Sequence, residues 1–298
     1  MRVFVTGATG FIGSAIVQEL LAAGHQVLGL ARTDAGAASL RAAGAEVHRG
    51  DLQDLDSLRR GAAMADGVIH TAFNHDFSKF KANCEADRSA IDALGSALRG
   101  SRRPLVITSG TGLLPSGRLG VESDVLAASA TEVPRVASEE AAAALAVRGV
   151  HVCVVRLPPS VHGVGDHGFV PLLIGIARQH GASAYVGEGL NHWPAVHRLD
   201  AAQLYRLVLE KGVAGARYHG AAEGGVPFKD IATAIGQGLR LPVLAKTPEE
   251  AAAHFGWFAH FAGLDNRVSS QHTRETLGWN PSGPGLLEDL ALPSYFAA

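Results

Sequence analysis

Short apolar runs alternate with amphipathic segments along the first half of the chain. Each run has the length of a buried strand, and in the segment after it apolar residues recur about every three to four positions, as on one face of a helix. Strands separated by helices are typical of a parallel sheet with helices on both faces, so we predict an α/β fold with a doubly wound parallel sheet. The predicted strands are 3–5, 26–31, 46–51, 67–72, 105–110 and 151–156, and the predicted helices are 14–23, 36–43, 54–64, 83–98 and 138–147.

Beyond Pro158 this alternation becomes irregular. We predict a first domain at residues 1–163 and a smaller, interleaved C-terminal lobe at 164–298, with a segment near 196–223 that returns to the first domain. The predicted helices of this half are 169–180, 200–209 and 228–239, and the predicted strands are 193–197, 216–220 and 242–244.

Three glycines follow the first strand directly. Gly7, Gly10 and Gly13 lie between the apolar run and the first predicted helix. In such a turn the first glycine permits the tight bend, the second lets a pyrophosphate approach the backbone, and the third lets helix and strand pack closely. The N-terminus of the helix offers free N–H groups and a positive dipole end to the phosphates. The pattern therefore predicts a dinucleotide site of the Rossmann type.

The composition narrows the class of protein. With 298 residues, 47% of them hydrophobic, the chain is long enough for a sizeable core in one large domain or two joined lobes. A net charge of −2 without runs of like charge argues against nucleic acid or an anionic membrane as partner. No apolar run approaches the roughly 20 residues of a membrane span, and no export signal is visible. Cys84 and Cys153 lie far apart, as is typical of reduced thiols, so we expect a cytoplasmic protein.

Several segments resemble, in their order along the chain, the motifs of one family. The chain is similar to the extended and atypical short-chain dehydrogenase/reductases, the group of NAD(P)-dependent epimerases and dehydratases. The similar segments are 6–13 (TGATGFIG), 50–52 (GDL), 70–72 (HTA), 108–110 (TSG), 156–163 (RLPPSVHG) and 196–200 (VHRLD). Together with the glycine turn, this resemblance implies an NAD(P) cofactor in contact with Gly7, Thr9, Gly10, Phe11, Ile12, Gly13, Arg32, Asp51, Leu52, Thr71, Ala72, Phe73, Ser109, Pro158 and Ser160.

The expected catalytic pair of that family is missing. Its Tyr-x-x-x-Lys should follow the 108–110 segment, where the chain has PRVASEE at 134–140. The alignment places Arg135 at the Tyr position and Glu139 at the Lys position. In the family the phenol exchanges a proton with the substrate oxygen, while the lysine lowers the phenol's pKa and holds the nicotinamide ribose. Neither role can be transferred, because the four tyrosines lie elsewhere, at Tyr185, Tyr205, Tyr218 and Tyr295.

One arginine bears on the choice of cofactor. Arg32 closes the second strand about 20 residues after the glycine turn, where an NAD site would carry Asp or Glu on the ribose 2′-hydroxyl. A guanidinium there suits a 2′-phosphate by charge and by its bidentate fork. We therefore expect NADP(H). A solvated arginine at a strand end is the alternative, and Asp34 is a complication because it could turn toward Arg32 or toward a 2′-hydroxyl.

Proton exchange needs a group other than the missing tyrosine. Ser109 is the first catalytic candidate, since its hydroxyl should project from the C-terminal end of a central strand beside the nicotinamide; a hydroxyl that caps the following loop is the alternative. His162 is the second, because an imidazole titrates near neutral pH, although local packing is the more common role of such a residue. Glu139 would serve only if burial raised its pKa. Arg135 keeps its proton, but it could hold an anionic substrate or a cofactor phosphate.

The 14 histidines raise the question of a metal. The nearest pairs along the chain, His162 with His167 and His192 with His197, lack the helical spacing and supporting carboxylate of a metal site, so we predict none. A group of aromatic residues in the C-terminal lobe forms its core or covers a pocket for an apolar or aromatic substrate: Trp193, Phe255, Trp257, Phe258 and Phe261.

The main functional hypothesis is an NADP(H)-dependent oxidoreductase that reduces a C=O, C=N or C=C group of a small, fairly apolar substrate. The second hypothesis is an NADP-binding sensor or regulator that has kept the fold and lost the chemistry. A sugar-nucleotide epimerase or dehydratase is the weaker third, since those reactions depend on the missing tyrosine. A homodimer fits the exposed helices of this fold, and fold alone does not choose among the three functions.

Overall fold

The computed structural model describes residues 1–126 and 128–297. The strands in these ranges are β1 (Arg2–Thr6), β2 (Gln26–Ala31), β3 (Glu46–Arg49), β4 (Gly67–His70), β5 (Leu105–Gly110), β6 (Val152–Leu157), β7 (Ser160–His162), β8 (Ser183–Val186), β9 (His192–His197), β10 (Arg217–His219), β11 (Glu223–Pro227) and β12 (Val243–Lys246). The α-helices are α1 (Phe11–Ala22), α2 (Asp34–Ala42), α3 (Leu55–Ala63), α4 (Phe80–Leu98), α5 (Ala137–Val147), α6 (Phe169–His180), α7 (Arg198–Lys211), α8 (Phe228–Leu239), α9 (Pro248–Phe255), α10 (Ala259–Ala262), α11 (Gln271–Leu277) and α12 (Leu286–Leu290).

Seven parallel strands form the central sheet. Their order is β10-β6-β5-β4-β1-β2-β3, so the direction of strand addition reverses between β1 and β4. Val3, Phe4 and Val5 of β1 are completely buried, as expected for a strand covered on both faces. In an open parallel sheet the crevice at such a reversal, outside the carboxyl ends of the strands, is where ligands bind.

Helices cover both faces of this sheet. On one face α1 and α7 pack along each other, with Leu20 and Tyr205 in a shared core. On the other face α3, α4 and α5 pack together through residues such as Leu58, Leu94 and Leu145. This arrangement confirms the predicted doubly wound parallel sheet.

The C-terminal lobe contains two small sheets and its own core. One sheet has the order β11-β9-β7 and the other pairs β12 with β8. A separate core contains Trp193, Phe228 and Phe258. Between these elements the chain returns to the central layer with α7 and β10, and β10 pairs with β6. The domain division at residue 163 stays a prediction.

The differences from the predicted elements have local causes. Helix α1 begins at Phe11 rather than Ser14, because extended Gly10 serves as its N-cap. Strand β4 ends at His70, which leaves Thr71 beyond its carboxyl end. The strands β7, β8 and β11 were not predicted, because each has only three to five residues. Strand β11 also contains two glycines and a proline. None of the helices in the described ranges has the length and apolar character that a bilayer crossing needs.

Replacement of Gly13 tests the packing of the glycine turn. A Cβ at Gly13 would lie 1.9 Å from the Gly7 carbonyl oxygen, so Gly13→Ala forces backbone to move. We expect the free energy of unfolding, measured by urea denaturation, to fall by roughly 1–3 kcal/mol. Gly175→Ala is the matched control, because this helical glycine of α6 has open space where its Cβ would be. The free energy of unfolding of the Gly175→Ala variant should rise by about 0.4–1 kcal/mol. Equal effects of the two changes would contradict the interpretation.

Candidate active site

The glycine turn joins β1 to α1 in a few residues. Gly7 has a φ of +69°, which favours glycine, and the Gly10 N–H donates to the Gly7 carbonyl oxygen at 2.9 Å. Gly10 is the N-cap of α1 and has no side chain that could accept a hydrogen bond. The backbone N–H groups of the first helical turn therefore have no side-chain capping partner. The turn is thereby built to receive an anionic group.

The residues predicted to contact the cofactor share one edge of the sheet. A Cβ at Gly7 would lie 2.7 Å from the Ala72 backbone nitrogen and 2.8 Å from Thr71 Oγ1, so the segment after β4 touches the glycine turn. Asp51 and Leu52 follow β3, Ser109 lies near the end of β5, and Pro158 and Ser160 follow β6. These positions are at carboxyl ends of parallel strands, on both sides of the strand reversal.

Two observations test whether this edge fits a dinucleotide. A Cβ at Gly7 or Gly13 would clash with protein atoms of the turn, whereas at Gly10 only the Gly7 carbonyl oxygen lies within 4 Å of the Cβ position, which leaves space for a pyrophosphate to approach the backbone. The Ser160 hydroxyl is buried and has no hydrogen-bond partner among the described residues, so it is available to a polar group of a bound molecule. The residues present fit the cofactor. Their individual contacts with it stay predictions.

The end of β2 carries exposed positive charge. The Arg32 side chain is 78% exposed, and its Nη1 lies 3.7 Å from Asp51 Oδ2. The Asp34 carboxylate does not pair with Arg32. Its Oδ1 lies 3.0 Å from Arg49 Nη2. The N-terminus of α2 lies beside Arg32, where Thr33 accepts a hydrogen bond from the Gly36 N–H at 3.1 Å.

Ser109 belongs to a buried ionic cluster. Its hydroxyl donates to Glu139 Oε1 at 2.7 Å. The same carboxylate accepts from Arg156 Nε at 2.8 Å and Nη2 at 2.7 Å, and from Arg217 Nε at 3.2 Å. Burial alone would raise the pKa of Glu139, but Arg156, Ser109 and Arg217 together hold that pKa below its ordinary value. Glu139 is therefore ionised at neutral pH and supplies no proton. Ser109 directs its only hydroxyl hydrogen toward it.

Arg135 lies in a short 3-10 turn (Pro134–Val136) directly before α5, and it contacts the end of β5. Its Nη1 donates to Asp87 Oδ2 at 2.9 Å and also to the Ser138 hydroxyl, and its Nη2 donates to the Thr108 carbonyl oxygen at 3.1 Å. Its guanidinium carbon lies 4.4 Å from the centre of the Phe73 ring. The side chain is 17% exposed. A fixed positive charge thus occupies the position that the sequence aligns with the family's tyrosine.

A buried polar chain connects Arg135 with the strand that leads into the glycine turn. Thr6 Oγ1 lies 2.6 Å from His70 Nδ1, and His70 Nε2 lies 3.0 Å from Asp87 Oδ1. Burial would raise the pKa of Asp87, but His70, Arg135 and Ser138 hold that pKa below its ordinary value. These side-chain contacts were not predicted from the sequence. The polar last residue of each apolar run, Thr6 and His70, was the available signal.

His162 lies inside the C-terminal lobe. Its side chain has no exposed surface, and its Nδ1 is 2.6 Å from Asp289 Oδ2. Its edge faces the His197 ring at a centroid distance of 5.7 Å. These contacts are those of a ring that packs within a core, and a catalytic role for His162 stays a prediction. Across the described ranges, no three histidine, cysteine, aspartate or glutamate side chains come together as a metal site would require.

His75 is a further residue near Arg135 that the sequence did not indicate. His75 follows β4, and its ring lies 5.3 Å from that of Phe73 and 6.3 Å from that of Phe77, measured between centroids. Although His75 keeps part of its surface exposed, partial burial, the Arg135 charge and His167 lower the pKa of its ring. It is therefore neutral at neutral pH, and it faces the same region as Arg135.

Comparison with known proteins identifies the family. The model of the NAD dependent epimerase/dehydratase family matches residues 3–220. The chain belongs to this family. Since the family is NAD dependent, a nicotinamide dinucleotide as its cofactor is confirmed, together with the resemblance found in the sequence.

Individual relatives support the assignment. The chain is 51% identical to an uncharacterized protein of Schizosaccharomyces pombe over 297 residues, 99% of this chain and 100% of that protein. It is 29% identical over 234 residues to a 2-alkyl-3-oxoalkanoate reductase of Stenotrophomonas maltophilia, 74% of this chain and 69% of that enzyme. Among solved structures, a dTDP-glucose 4,6-dehydratase of Streptomyces venezuelae with NAD bound has a TM-score of 0.78 at 22% identity, over 99% of this chain and 97% of that one. At this identity the likeness is one of fold, and it confirms the predicted fold class.

Replacement of Glu139 tests the ionic cluster. Glu139→Gln keeps the shape but leaves Arg156 and Arg217 without their carboxylate, so we expect the free energy of unfolding at neutral pH to fall by about 3 kcal/mol. Because folding lowers the pKa of Glu139, its ionic contribution is complete above pH 4.5 and is lost as the pH falls through the folded-state value. The difference between the variant and the natural protein should therefore narrow in acid.

Urea denaturation of both proteins across this pH range measures the effect. Glu188→Gln is the control, because Glu188 is exposed and belongs to no ion pair in the described chain. A stability difference that stayed constant or grew in acid would show that the carboxylate charge does not stabilise the fold.

Proposed function

We propose that the protein is an NADP(H)-dependent oxidoreductase that reduces a C=O, C=N or C=C group of a small, fairly apolar substrate. The observation that carries the choice of cofactor is the exposed guanidinium of Arg32 at the end of β2, with Asp34 turned away to Arg49. This edge offers a 2′-phosphate a positive charge where an NAD site offers a carboxylate.

The cofactor, when bound, supplies a hydride, and the chain's own residues position and stabilise the reactants. We propose that Arg135 stabilises negative charge that develops on a substrate oxygen, because it holds a fixed positive charge at the family's tyrosine position. Charge that is oriented in advance lowers the barrier without reorganisation during the reaction.

We assign proton exchange to Ser109 or to water beside it. His162 is the weaker candidate, because its ring is fully buried. In the arrangement described, Ser109 donates to Glu139, so toward a substrate or the cofactor ribose its oxygen acts only as an acceptor. To donate to a substrate oxygen it must turn away from Glu139. Water is then the remaining proton source.

A sensor or regulator that binds NADP without turnover is the second candidate. The ion pairs of Arg135 and Glu139 favour it, because both side chains at the former catalytic positions are engaged in structural bonds. An epimerase or dehydratase has less support, since the resemblance implies that those reactions need the tyrosine.

The setting of the protein is also a proposal. We place it in the cytoplasm, because Cys84 and Cys153 are free thiols, and we expect a small-molecule substrate and a homodimer, with no nucleic acid or membrane as partner. Burial raises the pKa of Cys84 to about 11 and that of Cys153 to about 12, so both thiols stay protonated at neutral pH.

Steady-state reduction of a panel of ketones, aldehydes, imines and enones by NADPH tests the reaction. If Ser109 contacts the reacting groups, Ser109→Ala should lower kcat by roughly 100-fold. Ser89→Ala, an exposed position of α4, is the control and should leave kcat unchanged. Tight NADPH binding without turnover of any compound would favour the sensor.

Replacement of Arg32 tests the cofactor choice. Arg32→Ala should weaken NADPH binding by about 10- to 100-fold and leave NADH binding nearly unchanged, since only NADPH carries the 2′-phosphate. Arg41→Ala, at an exposed arginine near the other end of α2, is the matched control. Calorimetric titration measures both dissociation constants. The proposal fails if the natural protein binds NADH as tightly as NADPH.

A further inference from the structure

A row of aromatic side chains extends from the segment after β4 to the C-terminal lobe. We call it the aromatic wall, and it consists of Phe73, Phe80, Phe77, Trp257 and Phe169. Neighbouring ring centroids are 6.3 Å apart for Phe73 and Phe80, 5.6 Å for Phe80 and Phe77, and 4.8 Å for Phe77 and Trp257. Phe169, at the start of α6, lies 6.3 Å from Phe77. The wall is thus continuous and built from three separate segments.

The inner end of the wall meets the positive charge of the active site. Arg135 lies over the Phe73 ring, as described above. Three of its five N–H donors serve Asp87, Ser138 and the Thr108 carbonyl, which leaves two without a partner among the described residues. A guanidinium only donates hydrogen bonds, so the group that it selects must be an acceptor.

The same end of the wall lies near the glycine turn. The His75 ring beside Phe73 is close enough to Arg135 and His167 for both to lower its pKa. The His167 ring in turn lies 5.7 Å from that of Phe11, the first residue of α1. His75 and His167 thus lie between the inner end of the wall and Phe11, at the start of the helix that follows the glycine turn.

The outer end of the wall is open to solvent. Trp257 is 54% exposed, whereas Trp193 and Trp279 are completely or almost completely buried. Its indole stacks on the Phe77 ring at an angle of 29°. Large exposed apolar rings beside a polar site mark surfaces that bind ligands. Aromatic faces bind other flat rings by stacking, with an offset or edge-to-face geometry.

We propose that the aromatic wall binds the flat aromatic portion of the substrate, with a carbonyl or carboxylate oxygen at the Arg135 end. This deepens the proposed function, on which it rests, by naming the substrate class. The apolar rings select a planar body, and the unpaired donors of Arg135 select an acceptor at the end of the wall where Phe73 lies. A compound with a positive charge in place of the acceptor is rejected.

Calorimetric binding of three probe compounds to the full-length protein saturated with NADPH tests the inference. The probes are 2-naphthoate, which is flat and carries an acceptor, cyclohexanecarboxylate, which lacks the flat ring, and 1-naphthylmethylammonium, whose charge is reversed. We expect 2-naphthoate to bind at least about tenfold more tightly than the other two. Equal affinity for the three compounds would overturn the proposal.

Variants of Trp257 separate the wall from general hydrophobic binding. Trp257→Leu should weaken 2-naphthoate binding by about tenfold and leave cyclohexanecarboxylate unchanged, whereas Trp257→Phe, which keeps a ring, should retain most of the affinity. Leu190→Ala removes another exposed apolar side chain of the same lobe and is the matched control. An unchanged 2-naphthoate affinity in Trp257→Leu would contradict the proposal.

The outcomes also distinguish this inference from the proposed function. Ring-dependent 2-naphthoate binding without reduction of any carbonyl compound would support the aromatic wall and count against the reductase. Reduction of aliphatic ketones with the same KM and kcat in Trp257→Leu, together with weak 2-naphthoate binding, would support the reductase and overturn the inference.

Discussion

The structure depends on one buried carboxylate at the junction of its parts. Glu139 of α5 holds Arg156 of β6, Arg217 of β10 and the hydroxyl of Ser109 of β5. These groups come from the helix and strands that form one half of the central sheet. Glu139 and Arg156 are almost completely buried, and a buried ion pair is stable only with good geometry, so the two hydrogen bonds between them fix their relative positions. The ionic cluster therefore sets where the ends of β5 and β6 lie.

This constraint changes what the family's catalytic helix can do. The family relatives include a 2-alkyl-3-oxoalkanoate reductase and the fold neighbours include a sugar-nucleotide dehydratase, so the scaffold supports several reactions. In this chain the side chains at both aligned catalytic positions are charged and paired, Arg135 with Asp87 and Glu139 with Arg156. At the aligned tyrosine position, a guanidinium that keeps its proton stands where the family has a neutral phenol that exchanges one. In the function that we propose, catalysis therefore depends on electrostatic stabilisation more than on proton transfer by this helix.

Local signals in the sequence were sufficient for the fold and the cofactor turn. The apolar runs predicted every strand of the central sheet, and Gly7, Gly10 and Gly13 predicted a turn whose close contacts the structure shows. The ionic cluster was not predictable, because it joins residues up to 108 positions apart, from Ser109 to Arg217. A charged residue within the apolar run of β6, Arg156, signalled a buried partner without identifying it. The ion pair between Asp34 and Arg49 was not predictable for the same reason, because it joins residues that are distant along the chain.

The path of the chain through α7 and β10 has a consequence for how the protein can be divided. After β9 the chain leaves the C-terminal lobe, covers α1 with α7, adds β10 to the edge of the central sheet and then returns to the lobe with β11. The lobe is therefore attached by several crossings instead of one hinge. A fragment that stopped before residue 164 would expose the apolar face of α1 and lose an edge strand. A nascent chain contains α7 only after residue 211 and β10 only after residue 219, so the central layer lacks its edge strand and the cover of α1 until most of the polypeptide has been synthesised.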